Sequence, residues 1–302
     1  MPGGVLVLAG PTCSGKTALA IELAERFGAE IVGADSRQIY RGMSIGTAAP
    51  TAGERARVPH HLVEFLDPHE RYSAARFARD AFGAIAEIVA RGRRALVVGG
   101  TGFYIRALAG DVALSAAYDE ALRARLAREA RTHPPEVLHA WLAARDPVRA
   151  AALEPGDRYR VARALEIALA PPGAVRSGEA AAAVSLRSAG MPYLKVGLEV
   201  AQAELDVRIA LRVDRMLAEG LVAEAERIGP GAVAADAVGY PQALAFLRGE
   251  STAAELRASL IRATRRYARR QQTWFRREPD LVRMEPQAVA GAARDALGWR
   301  DS

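Results

Sequence analysis

The chain has 302 residues, half of them hydrophobic and a quarter charged, enough for a full core and a second lobe. Its single cysteine, Cys13, excludes an internal disulfide and fits a reducing, cytoplasmic setting, and no apolar run reaches the roughly 18–20 residues of a membrane span. The net charge of +6 points to an anionic partner where the charge is clustered.

No charged segment precedes the first apolar run, so no secretory signal is expected. That run, residues 5–9, reads as a buried strand. It delivers Gly10, Pro11, Thr12, Cys13, Ser14, Gly15, Lys16 and Thr17, a G-x-x-x-x-G-K-[ST] loop with a helix behind it. The amides of such a loop and the helix N-terminus form a concave anion site. Lys16 is placed to reach a terminal phosphate, and the Thr17 hydroxyl to ligate Mg²⁺. Lys16 and Lys195 are the only lysines among 41 basic residues. A lysine kept here suits a site that needs a compact point charge rather than a planar guanidinium. The loop specifies a phosphate or diphosphate, not ATP.

Residues 30–35 read as a second buried strand, ending in the carboxylate of Asp35. Residues 60–65 predict another, closed by the turn signal Asp67-Pro68, and Ser73 is the N-cap of an amphipathic helix reaching Val89. A strand over residues 93–98 delivers Gly99-Gly100-Thr101-Gly102, and a short helix follows. The alternation predicts an α/β fold with a parallel P-loop sheet, whose ligands sit at the carboxyl ends of the strands. The loop of residues 10–17, Asp35 and Thr101 all fall at such ends, in one predicted crevice. Residues 111–190 are rich in Ala, Arg and Leu, punctuated by proline and without a strand pattern. They predict a helical insertion, a lid on a core made of residues 1–110 and 191–302. Within that core, residues 193–198 form a strand, 202–228 a helix with Gly220 as its candidate break, and 280–299 a short strand and a helix.

The last strong signal is the helix of residues 251–277. Residues 262–277 hold seven arginines and no acidic residue. Arg262, Arg265, Arg266, Arg269 and Arg270 recur at three- and four-residue spacing, which stacks them on one face beside Tyr267, Trp274 and Phe275. A single-sign stripe interleaved with aromatics fits a polyphosphate partner better than a solvated surface.

A phosphate loop with a carboxylate at the next strand end admits three chemistries. One is hydrolysis of a nucleoside triphosphate, with Asp35 or Asp67 holding metal. Another is phosphoryl transfer to a small acceptor. The third is displacement of a diphosphate, with Asp35 as base for the nucleophile. No Asn-Lys-x-Asp guanine signature occurs. The residues alone leave the three open.

The chain resembles the tRNA dimethylallyltransferases over nearly its whole length. The phosphate loop is similar to theirs, as are residues 35–43, Ile45-Gly46-Thr47-Ala48, His60-His61-Leu62 and residues 97–104. So are Arg163-Ala164-Leu165-Glu166, Val238-Gly239-Tyr240, residues 265–271 and Thr273-Trp274-Phe275-Arg276, all in family order. The resemblance implies transfer of a dimethylallyl group from dimethylallyl diphosphate to N6 of adenosine 37, beside the anticodon of tRNAs reading codons that begin with U. It makes Asp35 the base, places Thr101 near the reacting centre and Arg212 on the diphosphate, and gives the loop to the donor with Mg²⁺ on Thr17. It implies contacts with the tRNA anticodon stem-loop from Asp35, Ser36, Arg37, Gln38, Thr101, Arg123, Tyr159, Arg160, Val161, Ala162 and Arg163. Val238, Gly239, Tyr240, Gln242, Arg265, Arg266, Arg269 and Arg270 join them. A monomer without membrane association is expected.

Two departures stand out. Cys13 occupies a position often filled by Ala, as a small spacer or as a thiol at a helix N-terminus open to alkylation. Residues 176–180 replace a common Thr-Gly-Lys-Pro-like stretch. His60 and His61 offer no third metal ligand and are assigned packing or hydrogen bonding. The alternatives are an isopentenyltransferase acting on free adenine nucleotides, which needs neither the arginine helix nor the insertion, and a P-loop kinase with a helical lid.

Overall fold

A computed structural model describes residues 4–112, 120–169 and 184–302; the stretch 176–180 lies outside them. The chain divides into two compact units, Met1–Val112 with Val184–Ser302, and Ala113–Ala183.

In the larger unit the short apolar runs become β1 (Val5–Ala9), β2 (Ala29–Gly33), β3 (His60–His61), β4 (Arg94–Gly99), β5 (Tyr193–Leu198) and β6 (Leu281–Met284). They form one parallel sheet in the order β3-β2-β4-β1-β5-β6. β1 lies between two neighbours and is buried along its whole length, the environment its unbroken Val/Leu run calls for. Helices Lys16–Phe27 and Val289–Leu297 cover one face through Leu6, Leu8, Ile21, Phe27 and Trp299. Helices Ala74–Ala90 and Gly102–Ala109 cover the other through Val5, Val7, Phe77, Ile85 and Ile105.

The strand expected over residues 60–65 stops after two residues. Leu62 and Glu64 take left-handed backbone angles, φ 58° and 48°, and the Glu64 and Phe65 amides donate to Gln38 and Ile39 carbonyls at 2.9 Å. Gly220, at φ 101°, splits the predicted long helix into Gln202–Glu219 and Leu221–Ile228. These two, with Tyr240–Leu247 and Ala253–Phe275, enclose a third core around Met43, Val213, Leu221, Tyr240 and Leu260.

Lys195 on β5 has no exposed side-chain surface. Its ammonium meets the Asp111 carboxylate, Glu278 at 3.1 Å and the Pro279 carbonyl at 2.9 Å, so the buried charge is fully matched.

The smaller unit holds helices Glu120–Thr132, Pro135–Arg145, Pro147–Ala151 and Arg158–Ala168 around Leu126, Leu138, Leu142, Val161 and Leu165. Its described residues contain no strand. Among the described residues no helix is long and apolar enough to cross a membrane.

Candidate active site at the carboxyl ends of three strands

β1 leads into the phosphate loop, and Gly15, at φ 89°, turns the loop into helix Lys16–Phe27. Cys13 also takes a left-handed angle, φ 64°. It is buried against Leu205, Ile209 and Ala268 and packs there as a small hydrophobe, while the residue also borders the cavity beside the loop. The Lys16 ammonium donates to the Pro11 carbonyl at 2.6 Å and lies 3.4 Å from Ser14 Oγ. Burial pushes it down to about 8, opposed by the Asp35 carboxylate and reinforced by the Arg212 guanidinium. Two guanidiniums of helix Gln202–Glu219 reach the loop. Arg212 Nη1 donates to Thr12 Oγ1 at 3.0 Å, and Arg208 Nη1 to the Cys13 carbonyl at 3.5 Å.

The carboxylate side is built from β2 and β4. Ala34 donates to the Val98 carbonyl at 2.7 Å and accepts from the Thr101 amide at 3.2 Å. The approach is so close that a Cβ on Gly99 would collide with the Ala34 carbonyl. Just beyond, Asp35 Oδ1 accepts from the Arg37 and Gln38 amides at 2.9 and 3.4 Å, which fixes the carboxylate over its own turn. Thr101 Oγ1 accepts from the Ser36 amide at 2.9 Å. The Gln38 side chain donates to the Thr47 and Ala48 carbonyls at 3.2 and 2.9 Å, and Arg37 pairs with Asp236 at 2.9 Å.

One cavity of about 580 Å³ gathers these parts. Residues 12–18, Asp35 to Gln38, Arg212, Val238, Gly239, Tyr267 and Arg270 line it. Burial, with the Asp35 charge nearby, pushes the Tyr267 phenol up, so it stays a neutral hydroxyl. No cluster of three His, Cys, Asp or Glu that could cage a metal occurs among the described residues. The Thr17 hydroxyl on the wall suits Mg²⁺, which keeps waters and binds through one or two protein groups and substrate phosphates. The arrangement can hold a diphosphate at one wall and accept a proton at the other.

The predicted tRNA-contact residues divide. Ser36, Arg37, Gln38, Val238, Gly239 and Arg270 share the cavity wall, and Thr101 braces it from behind through Ser36. Arg266 and Arg269 are exposed, whereas Arg265 pairs with Asp206 at 3.0 Å and Arg270 lies over the Tyr267 ring. Tyr240 is fully buried, its hydroxyl 2.7 Å from Glu224 and 3.2 Å from the Met43 carbonyl. Its side chain therefore packs the third core and is not presented on the surface. Gln242 caps its own helix by accepting from the Gly239 amide at 2.9 Å. In the smaller unit Val161 is likewise a core residue, for it falls on the inward stripe of its helix. Tyr159 and Arg160 are exposed, Ala162 and Arg163 half-buried with Arg163 paired to Glu166, and Arg123 is half-buried on helix Glu120–Thr132. His61 bonds Glu30 at 2.7 Å and His60 the Val58 carbonyl at 2.7 Å, in line with a hydrogen-bonding role.

Two contributors carried no sequence assignment. Gln271, buried on helix Ala253–Phe275, bridges the Thr12 amide and the Gly100 carbonyl. Its signals are its place at the end of a run of arginines and in the family-like stretch 265–271, neither of which gives it a role. Glu224 accepts from the Ile45 and Gly46 amides at 3.0 and 2.8 Å and so anchors the turn that forms another part of the wall; one glutamate among several on a helix gives no sequence signal.

The IPP transferase family model matches residues 38–278, and the isopentenyl transferase model residues 3–61. The chain is 48% identical over 286 residues to a tRNA dimethylallyltransferase of Anaeromyxobacter sp. strain Fw109-5, covering 93% of this chain and 94% of that one. Its fold is similar to the crystal structure of a tRNA isopentenylpyrophosphate transferase from Bacillus halodurans, with 34% identity, 97% of each chain covered and a TM-score of 0.68. It is also similar to a eukaryotic dimethylallyltransferase captured acting on tRNA, with 25% identity, 96% of this chain and 77% of that one covered and a TM-score of 0.75. A phosphate loop, a strand-end carboxylate and these matches along nearly the whole sequence agree, and the chain belongs to the tRNA dimethylallyltransferase family.

Proposed function

We propose that the protein transfers a dimethylallyl group from dimethylallyl diphosphate to N6 of adenosine 37 in tRNAs that read codons beginning with U. One observation carries the reading within this family. The phosphate loop and Asp35 line a single cavity, where a leaving diphosphate and a deprotonated amine can both be served.

In this reading the loop amides, Lys16 and Arg212 bind the diphosphate, and Thr17 is the ligand for Mg²⁺. Mg²⁺, when bound, supplies positive charge for the departing diphosphate. An exocyclic adenine amine is a poor nucleophile, so the bond from the allylic carbon to oxygen must loosen as the bond to N6 forms. Diphosphate leaves with the electron pair, and the N6 proton passes to Asp35. Thr101 and the Arg37 and Gln38 amides keep that carboxylate in place. Adenosine 37 must leave its stack to enter the cavity, at a cost of roughly a few kcal/mol. Arg266, Arg269 and Arg270 draw in the anticodon stem-loop, and Tyr159 and Arg160 of the smaller unit add contacts.

The test is mass spectrometry of tRNA incubated with dimethylallyl diphosphate. Added mass on the nucleotide beside the anticodon, with none on AMP and no requirement for ATP, is the expected result. Mass added to AMP, or phosphate consumption from ATP, would replace the reading with one of the alternatives.

A further inference from the structure

We infer that Gln271 is a positioning residue that sets the spacing between the diphosphate and base ends of the cavity; the inference rests on the prenyl-transfer reading above. Gln271 is 6% exposed. Its Oε1 accepts from the Thr12 amide at 2.8 Å, and its Nε2 donates to the Gly100 carbonyl at 2.9 Å. Its oxygen and its nitrogen are therefore both engaged with backbone, one at the end of β1 and one at the end of β4.

The same approach leaves its mark on Gly100. A Cβ on Gly100 would collide with Gln271 Nε2, although Gly100 has no left-handed angle that demands glycine. Gly100 is small because the amide lies against it. From Gly100 the chain runs directly to Thr101, whose hydroxyl takes the Ser36 amide beside Asp35. One planar amide thus joins the loop that holds the donor to the turn that holds the base. Only a glutamine offers an acceptor and a donor at this reach. Ionised Glu would set an acceptor against the Gly100 carbonyl, and Met offers no donor.

The geometry that this bridge sets is the reaction geometry. The carbon–oxygen bond that breaks is referenced to the loop, and the N6 proton is referenced to Asp35. A displacement of about 1 Å between such groups costs on the order of 10²-fold in rate, with little effect on binding either substrate.

The test uses the full chain, dimethylallyl diphosphate and an anticodon stem-loop RNA, with Gln271→Ala, Gly100→Ala and the double variant. Each single change is expected to lower kcat by about 10–100-fold with both KM values within about threefold of wild type. Gly100→Ala displaces the same amide that Gln271→Ala removes, so the double variant should be no slower than the slower single one. Gln271→Met keeps the buried volume but neither hydrogen bond, and should show the same kcat loss while its unfolding temperature stays well above that of the assay. Losses that multiply in the double variant would overturn the inference, and so would wild-type kcat in Gln271→Met. A donor KM rising in step with the loss of kcat would also overturn it, making Gln271 part of the binding site. If wild-type protein itself transfers nothing to the RNA, the prenyl-transfer reading fails instead.

Discussion

At the phosphate loop, positive charge is held in place: Lys16 lies on the Pro11 carbonyl, Arg212 on Thr12, and the loop amides are fixed by Gly15 and Gln271. On helix Ala253–Phe275, Arg262, Arg266 and Arg269 stand exposed to water. The two regions present the same sign of charge to phosphate groups by opposite means. Fixed charge acts through geometry and is felt group by group, because its orientation is set before the ligand arrives. Solvated charge acts through its sum and is screened within about 10 Å at ordinary salt. The stripe also has edges where its character changes. Arg265 is tied to Asp206, and Arg270 turns over Tyr267 into the cavity wall.

The largest effect that would break this comparison is at Asp35, which belongs to the fixed region without carrying positive charge. Asp35→Asn keeps the shape of the side chain but cannot take a proton. Turnover should fall at least about a hundredfold, with both substrates bound within a few-fold of wild type. Rapid-quench turnover together with equilibrium binding would decide it. Diphosphate affinity that falls in step with rate would move Asp35 to the metal.

Next come the loop side chains. Lys16→Ala and Thr17→Ala should raise the donor KM by about tenfold or more and leave tRNA affinity unchanged. Loss of tRNA binding with donor affinity intact would remove the division of labour between the two regions.

The electrostatics of Lys16 sharpen the same point. Burial lowers its ammonium to about 8, and a diphosphate binds the charged form. Donor affinity should therefore weaken as pH rises through about 8, measured by titration calorimetry. Lys16→Arg, which stays charged, should flatten that profile; a wild-type affinity independent of pH between 7 and 9 would contradict it.

The smallest effect per residue is expected on the stripe. Arg266→Gln with Arg269→Gln should raise the KM for tRNA several-fold, leave kcat unchanged, and lower the slope of log affinity against log salt by about 1–2. Arg265→Gln should do less, since its charge is already matched by Asp206. A wild-type slope in the double variant would make the stripe a merely solvated surface.

Legibility in the sequence followed the range of the contact. The phosphate loop could be read because strand, loop and helix start are consecutive, and each residue's role is set by neighbours a few positions away. The break at Gly220 and the cap at Ser73 are local in the same way. Gln271 meets Thr12 across 259 positions, and no pattern in either segment encodes the meeting. Tyr240 is the converse. It sits in a family motif, which suggested the RNA surface, but Glu224 from another helix takes its hydroxyl inward. The short β3 fails for a further reason. The strand expected over residues 60–65 is cut short when the loop after β2 captures the Glu64 and Phe65 amides.

The complete enclosure of Lys195 has a practical side. Of the two lysine ammonium groups in the chain, one is sealed between carboxylates with no exposed surface, and the other lies in the cavity with its basicity lowered by burial. Lys16 is thus the one lysine of the chain that borders a cavity, and a diphosphate bound there would compete with any amine-directed reagent for it. A label that reaches Lys16 would report on occupancy of the cavity without any residue being engineered.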